Sequence, residues 1–158
     1  MPQAVTHIII PLVLADIYRD YISKNKFNIR YVLIAGLAGL LPDIDILIGW
    51  FVNLFWYFNI SDIHRTFTHT LLFPLIFLLL FFLTKNYNQK FLKKQKLKLG
   101  YIFLAIAVGT FIHIILDSVF DQISVSFFQG TFFAGLDAII IVLWLVHEEL
   151  KHRISDYI

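Results

Sequence analysis

The sequence predicts an all-helical, polytopic transmembrane bundle of about five helices, forming a single domain over residues 1–158, and three observations lead there. The chain is 59% hydrophobic, 17% aromatic and 15% charged, whereas a soluble domain has about 45–50% apolar and about 25% charged residues. Mean hydropathy is +0.77, and the stretch 71–83 carries no charge and eight Leu or Ile. The third observation is segregation of charge: twelve of the thirteen Lys and Arg fall at the ends or in the loops of alternate apolar segments.

The first apolar segment, residues 5–22, is crowded at its end by Asp16, Arg19 and Asp20, and a polar turn follows at 23–30. No basic region precedes that first run, so no cleavable signal peptide is expected. The second segment runs from Tyr31 through Leu41 to Pro42-Asp43-Ile44-Asp45 and on to Phe58. That is longer than the about 20 residues one pass needs. Proline removes a backbone donor and disfavours helix at the residue before it, which predicts a break at Pro42. The part beyond, with Trp50, Phe51, Phe55, Trp56, Tyr57 and Phe58, has the composition of an interfacial or re-entrant piece. Segment three, 66–84, is the cleanest span. A basic loop at 85–98 precedes segment four at 99–117, segment five covers about 131–146, and a charged tail ends the chain.

If the segments cross in alternation, the twelve basic residues share one face, which the positive-inside rule makes cytoplasmic. The basic loop 85–98 and the C-terminus then lie in the cytoplasm of a cell whose inner membrane holds the protein. Arg65 is the exception. On the same topology His7 lies roughly 22 Å from the cytoplasmic end of the first helix, and His113 and Asp117 lie roughly 21 and 27 Å into the fourth. Asp43 and Asp45 follow a climb of about a dozen residues from the inside, and His64, Arg65 and His69 open segment three from the outside. All converge on the outer half.

Charges inside a bilayer cost about 2.5–3.5 kcal/mol each even on the lenient scale. A divalent cation removes that cost by binding deprotonated carboxylates and neutral imidazoles. His113 and Asp117 have i,i+4 spacing and share a helix face. They suit zinc, or alternatively a His–Asp hydrogen bond between helices. His64 and His69 would be about 140° apart on one helix. They meet only if Thr66 or Thr68 caps segment three and His64 folds back from the preceding turn. Asp43 immediately follows the break and is the better ligand candidate, while Asp45 is a second ligand, a bridge or a general base. Thr6-His7 reads as a ligand or as a solvated tail. Asp137 is a lone intramembrane carboxylate, Asp121 a solvated loop residue, and His147, Glu148, Glu149 and His152 a solvated helix end. With every glutamate at that end, a His-Glu base is excluded from the outer cluster. The absence of cysteine excludes disulfides and thiolate metal sites.

Thr6-His7, Gly39-Leu-Leu-Pro-Asp-Ile-Asp45, His64-Arg-Thr-Phe-Thr-His69 and His113-Ile-Ile-Leu-Asp117 occur here in that order. Together, over roughly residues 4–120, they resemble the predicted membrane-bound metal-dependent hydrolases, the YdjM-like family. Thr70 stands where that family commonly has Ser. In motif order alone the chain is more distantly similar to zinc-dependent phospholipase C. The resemblance implies a metal-dependent hydrolase, and the distant likeness phosphoester chemistry on a membrane-associated substrate.

His7, Asp43, His64, His69, His113 and Asp117 are the expected ligands of one or two divalent ions, with zinc favoured by the N/O donor set. Asp45 is expected to handle protons and Arg65 to grip a phosphate or carboxylate. The phenylalanine-rich outer loop 119–133 suits a lipidic substrate or plain anchoring, and no nucleic-acid partner is expected. A metal or proton transporter and a structural protein with a structural metal use the same residues. Against the transporter, the inner halves of the helices read as almost purely apolar.

Overall fold

A computed structural model describes residues 4–24, 27–56, 67–87, 97–122 and 129–152 of the chain. Six α-helices and no strand occur among them. Helix α1 (Ala4–Ile17) runs directly into a π-helical turn, Tyr18–Ile22. Helix α2 (Ile29–Ala38) starts at Asn28, whose side chain accepts the Arg30 N–H at 2.9 Å and so satisfies one orphan donor of the first turn. Then come α3 (Ile44–Val52), α4 (Leu72–Thr84), α5 (Leu99–Gln122) and α6 (Gln129–His152).

The expected break falls over Gly39–Asp43, where single turns with i→i+3 bonds replace helix. Segment three starts later than expected. Phe67 to Leu71 form turns, and α4 begins at Leu72 with Leu71 as its cap, so Thr68 is not a helix cap. Of the five expected passes, one described helix is long and apolar enough to cross a membrane by length and composition: Leu99–Val119, with a hydropathy of 2.3. Helices α2 and α4 are apolar but shorter.

Helix α1 packs on α2, both pack on α5, α4 packs on α5, and α6 packs on α1. The buried apolar residues are mostly small (Ala35, Ala38, Ala105, Ala107, Val32), while large ones such as Leu37, Leu79, Leu83, Leu143 and Leu150 face outward. Small residues at helix contacts with large apolar ones outside is the arrangement expected when lipid is the solvent, since packing rather than the hydrophobic effect then holds helices together. Helix α3 turns Asp45 and Gly49 inward and exposes Leu47, Trp50 and Phe51, and the turns that follow it expose Leu54, Phe55 and Trp56.

Three glycines set the contacts. A Cβ on Gly109 would strike the Ala35 carbonyl, fixing the approach of α5 to α2. One on Gly36 would meet Leu12 of α1. One on Gly39 would overlap the His7 carbonyl oxygen. That oxygen is available because the residue four positions on is Pro11, which has no N–H to return to it.

At one end of the bundle the Lys98 N–H donates to the Tyr31 hydroxyl at 2.7 Å, Gly100 packs on Lys85, and Lys151 pairs with Asp20 at 2.9 Å. His7, Gly39, His113 and Asp117 meet at the other end.

Candidate metal centre

His113 is fully buried and its position is set by the α2 break. Its Nδ1 lies 2.6 Å from the Gly39 carbonyl. That carbonyl is spared by the local sequence: Pro42 has no N–H to offer it, and the Asp43 N–H donates to Leu40 instead. A carbonyl only accepts, so Nδ1 carries the proton and the Nε2 lone pair of His113 points into the site.

His69 is set in the same way by a different device. The Thr68 hydroxyl donates to Asp45 Oδ2 at 2.8 Å and lies 3.1 Å from His69 Nδ1. With its one proton given to Asp45, it accepts from Nδ1–H. The His69 Nε2 therefore also presents a lone pair, 3.2 Å from that of His113.

Two carboxylates join these nitrogens. His69 Nε2 is 3.4 Å from Asp43 Oδ1 and 3.3 Å from Asp117 Oδ2. His113 Nε2 is 3.7 and 3.6 Å from the same two oxygens. Asp43 sits at the N-cap of α3 but makes no side-chain cap bond. Four donors at about 2.0–2.2 Å around a tetrahedral zinc lie about 3.3–3.6 Å from one another. The five separations here, 3.2 to 3.7 Å, fall on that spacing. Nε2 lone pairs and carboxylate oxygens crowded together in this way require positive charge between them, and these residues fit a divalent ion.

His7 approaches from α1. Its ring stacks on His113 with centroids 3.9 Å apart, and its Nε2 is 3.4 Å from Asp117 Oδ1, the oxygen turned away from His69. Nδ1 of His7 is buried without a hydrogen-bond partner among the described residues. His7, His113 and Asp117 thus form a second grouping with metal-binding spacing beside that of Asp43, His69 and His113. The site is closed on the His113 side and opens at Asp43, whose side chain is 26% exposed.

Of the expected ligands, the structure brings His7, Asp43, His69, His113 and Asp117 together. His64, and Arg65 with it, lie outside the described residues, as do the side chains of Asp121, His152 and the phenylalanines of the expected 119–133 loop, of which 119–122 and 129–133 are instead helical, in α5 and α6. Asp45 stands behind His69, 3.9 Å from Nδ1, rather than among the converging atoms. Thr6, next to His7, places its hydroxyl 2.9 Å from both oxygens of Asp137, tying α1 to α6 beside the site.

The YdjM inner membrane protein model matches residues 1–129. The chain belongs to this family. No curated protein and no solved structure matches it. The YdjM match contains every residue of the His/Asp centre and ends as α6 begins. A family of inner membrane proteins accounts for the outward-facing large apolar residues by placing them against lipid.

The opposite end of the α1–α6 contact overturns one expectation about the YdjM chain. Glu148 is not part of a solvated helix end: it is 2% exposed. It belongs with Asp16, Asp20 and His147 to a further grouping of carboxylates and imidazole. Arg19 pairs with Asp16 at 3.0 Å and Asp20 at 3.6 Å, the Trp144 indole donates to Asp16, and Lys151 pairs with Asp20. The adjacent Asp20 carboxylate raises the Lys151 ammonium above its ordinary value. Only Asp16, Arg19 and Asp20 signalled this cluster in the sequence. The α6 half carried no cue, because Glu148 reads as polar until α1 is packed against it.

Proposed function

We propose that the protein is a membrane-bound metal-dependent hydrolase, acting on a phosphoester or other ester of a membrane-associated substrate. The observation that carries this reading is the pair of outward-donating Nδ1 groups, which leaves the Nε2 atoms of His69 and His113 facing each other at 3.2 Å between two carboxylates. Asp43, His69, His113 and Asp117 would hold the ion. His7, on the far oxygen of Asp117, would complete that shell or share Asp117 with a second ion. Zinc is the metal that this N/O set suits best. Such an ion supplies Lewis acidity and a water of lowered pKa.

The chain's own residues supply the rest. Gly39 and Thr68 hold the two imidazoles in the ligating tautomer. Asp45, through Thr68, biases the His69 proton toward Nδ1 and is the group available to store a proton beside the site. Asp43 borders the open side, where a substrate would enter. Arg65 would grip the anionic group of that substrate. A multi-pass topology with residues 85–98 and the C-terminus in the cytoplasm would put this centre toward the outer face.

The test is metal analysis of the protein purified in detergent, followed by phosphodiesterase and lipase screens with His113→Ala and Asp117→Ala as controls. Stoichiometric zinc with ester turnover that both variants abolish is the expected result. Protein that carries no metal after incubation with zinc, at unchanged stability, would overturn the reading.

One observation favours a second reading, a metal or proton transporter. The cluster around Asp16 and Glu148 puts ionisable groups in the half of α1–α6 expected to be apolar. Labelled-metal uptake into vesicles without turnover of any ester would select it.

A further inference from the structure

Away from the His/Asp centre, α1, α2 and α5 diverge around a cavity of about 1080 Å³. Its upper wall is apolar, formed by Leu14, Ala35, Leu104, Ala105 and Val108, and Gly109 packed on the Ala35 carbonyl separates it from the His/Asp centre. Its lower rim is polar and aromatic: Tyr18, Asn28, Tyr31, Lys98 and Tyr101. From Lys98 to Val108 the wall rises about 15 Å along α5.

The rim carries the charge. Lys98 holds its ammonium over the Tyr101 ring at 5.8 Å and is fixed through its backbone N–H to Tyr31. Lys24 follows the rim residue Ser23, and Arg30 lies between Asn28 and Tyr31; both are exposed. Among the described residues, no carboxylate lines the cavity. An apolar shaft ending in tyrosines and cations matches a lipid with its tail up and a negative headgroup at the interface, because aromatic rings and long basic side chains settle at that level and basic pockets between helices take anionic headgroups.

We propose that this cavity is a binding site for an anionic phospholipid, one acyl chain lying along Leu104 to Val108 and the headgroup phosphate at Lys98. The site is independent of the hydrolase reading, since it lies at the other end of the bundle from the His/Asp centre.

The experiment uses the full-length protein in nanodiscs containing a trace of phosphatidylglycerol or phosphatidylcholine with a photoreactive group in the acyl chain, and maps the labelled peptide by mass spectrometry. Label from phosphatidylglycerol is expected at residues 101–108, about 5-fold above that from phosphatidylcholine, the ratio that one basic residue near a membrane surface supplies. Lys98→Glu should bring the two lipids level. Val108→Trp, at a position 39% exposed and so tolerant of bulk, should cut labelling by both. Each variant is checked for unchanged thermal unfolding. Equal labelling by both lipids in the unaltered protein, label only outside residues 101–108, or labelling unaffected by Val108→Trp would each overturn the proposal.

Discussion

The Cα of Gly39 rests on the carbonyl oxygen of His7, an oxygen that Pro11 leaves without a helical donor. The same glycine offers its own carbonyl, spared by Pro42, to His113. Two prolines and one glycine thus fix two histidines of the candidate centre from helices far apart in the chain. Gly39→Ala is expected to force α1 off α2, at about 1–3 kcal/mol as for other overpacked contacts, and to weaken metal binding as His7 and His113 move. Gly135→Ala is the control: nothing lies near its Cβ position in α6, and the change should stabilise by about 0.5–1 kcal/mol. Thermal unfolding and zinc titration of both variants check this. A Gly39→Ala protein as stable as the parent would refute it.

Thr68 links Asp45 to His69, and its hydroxyl determines which His69 nitrogen faces the centre. Thr68→Val removes that link without touching a proposed ligand. Zinc affinity should fall roughly 10–100-fold, the usual cost of losing an outer hydrogen-bond partner of a ligating histidine, and Thr68→Ser should restore it. Equal affinities for the valine and serine variants would show that the hydroxyl does not orient His69.

Asp117 offers Oδ2 to His69 and His113 and Oδ1 to His7, so one substitution reaches both groupings. Asp117→Asn should lower zinc affinity by more than Thr68→Val does. Chelation should destabilise the unaltered protein, since it leaves lone pairs and carboxylates facing one another, and should leave Asp117→Asn nearly unchanged. Melting curves with and without chelator read the difference.

Spacing made part of this centre legible. His113 and Asp117 are one helical turn apart, and Pro42 announces the break that carries Asp43. His69 was legible as part of a motif but not as geometry: Thr68, one of two candidate caps for segment three, lies in a turn and serves His69. Asp45 resembles Asp43 in sequence, yet at the first turn of α3 it lies behind His69. Glu148 had no local signal at all, because its burial depends on α6 meeting the π-helical turn of α1. Gly39 was part of a motif, but its contact with His7 spans 32 positions and rests on what Pro11 lacks.

In lipid, apolar faces do not drive helices together, and polar contacts matter more. Helix α6 is joined to α1 by Thr6–Asp137 near the centre and, at the other end, by Trp144 to Asp16 and Lys151 to Asp20, two carboxylates that Arg19 pairs with from their own side. Arg19 is 8% exposed, so Arg19→Met strands buried carboxylates and should cost about 3–5 kcal/mol. Lys151→Met, at a side chain 28% exposed, should cost far less. Hydrogen exchange should show α6 loosening in the first variant only; protection of α6 unchanged by Arg19→Met would show that Arg19 does not support the carboxylates that Trp144 and Lys151 hold.

The proposed orientation is open to a direct assay because the chain contains no cysteine, so a single introduced thiol reports without background. Asn86 follows α4 beside Lys85, at the end where α4 meets Gly100, and Trp56 lies in the exposed turns after α3, beyond Asp43 and Asp45. Both are exposed, so neither substitution disturbs packing. On the positive-inside rule, the excess of basic residues near Asn86 would hold that end in the cytoplasm. In intact spheroplasts a membrane-impermeant maleimide should therefore label Trp56→Cys and leave Asn86→Cys untouched until the membrane is opened. The reverse pattern would turn the protein over and put the His/Asp centre on the cytoplasmic side. Equal labelling of both before opening would place the two ends on one face and rule out alternating passes.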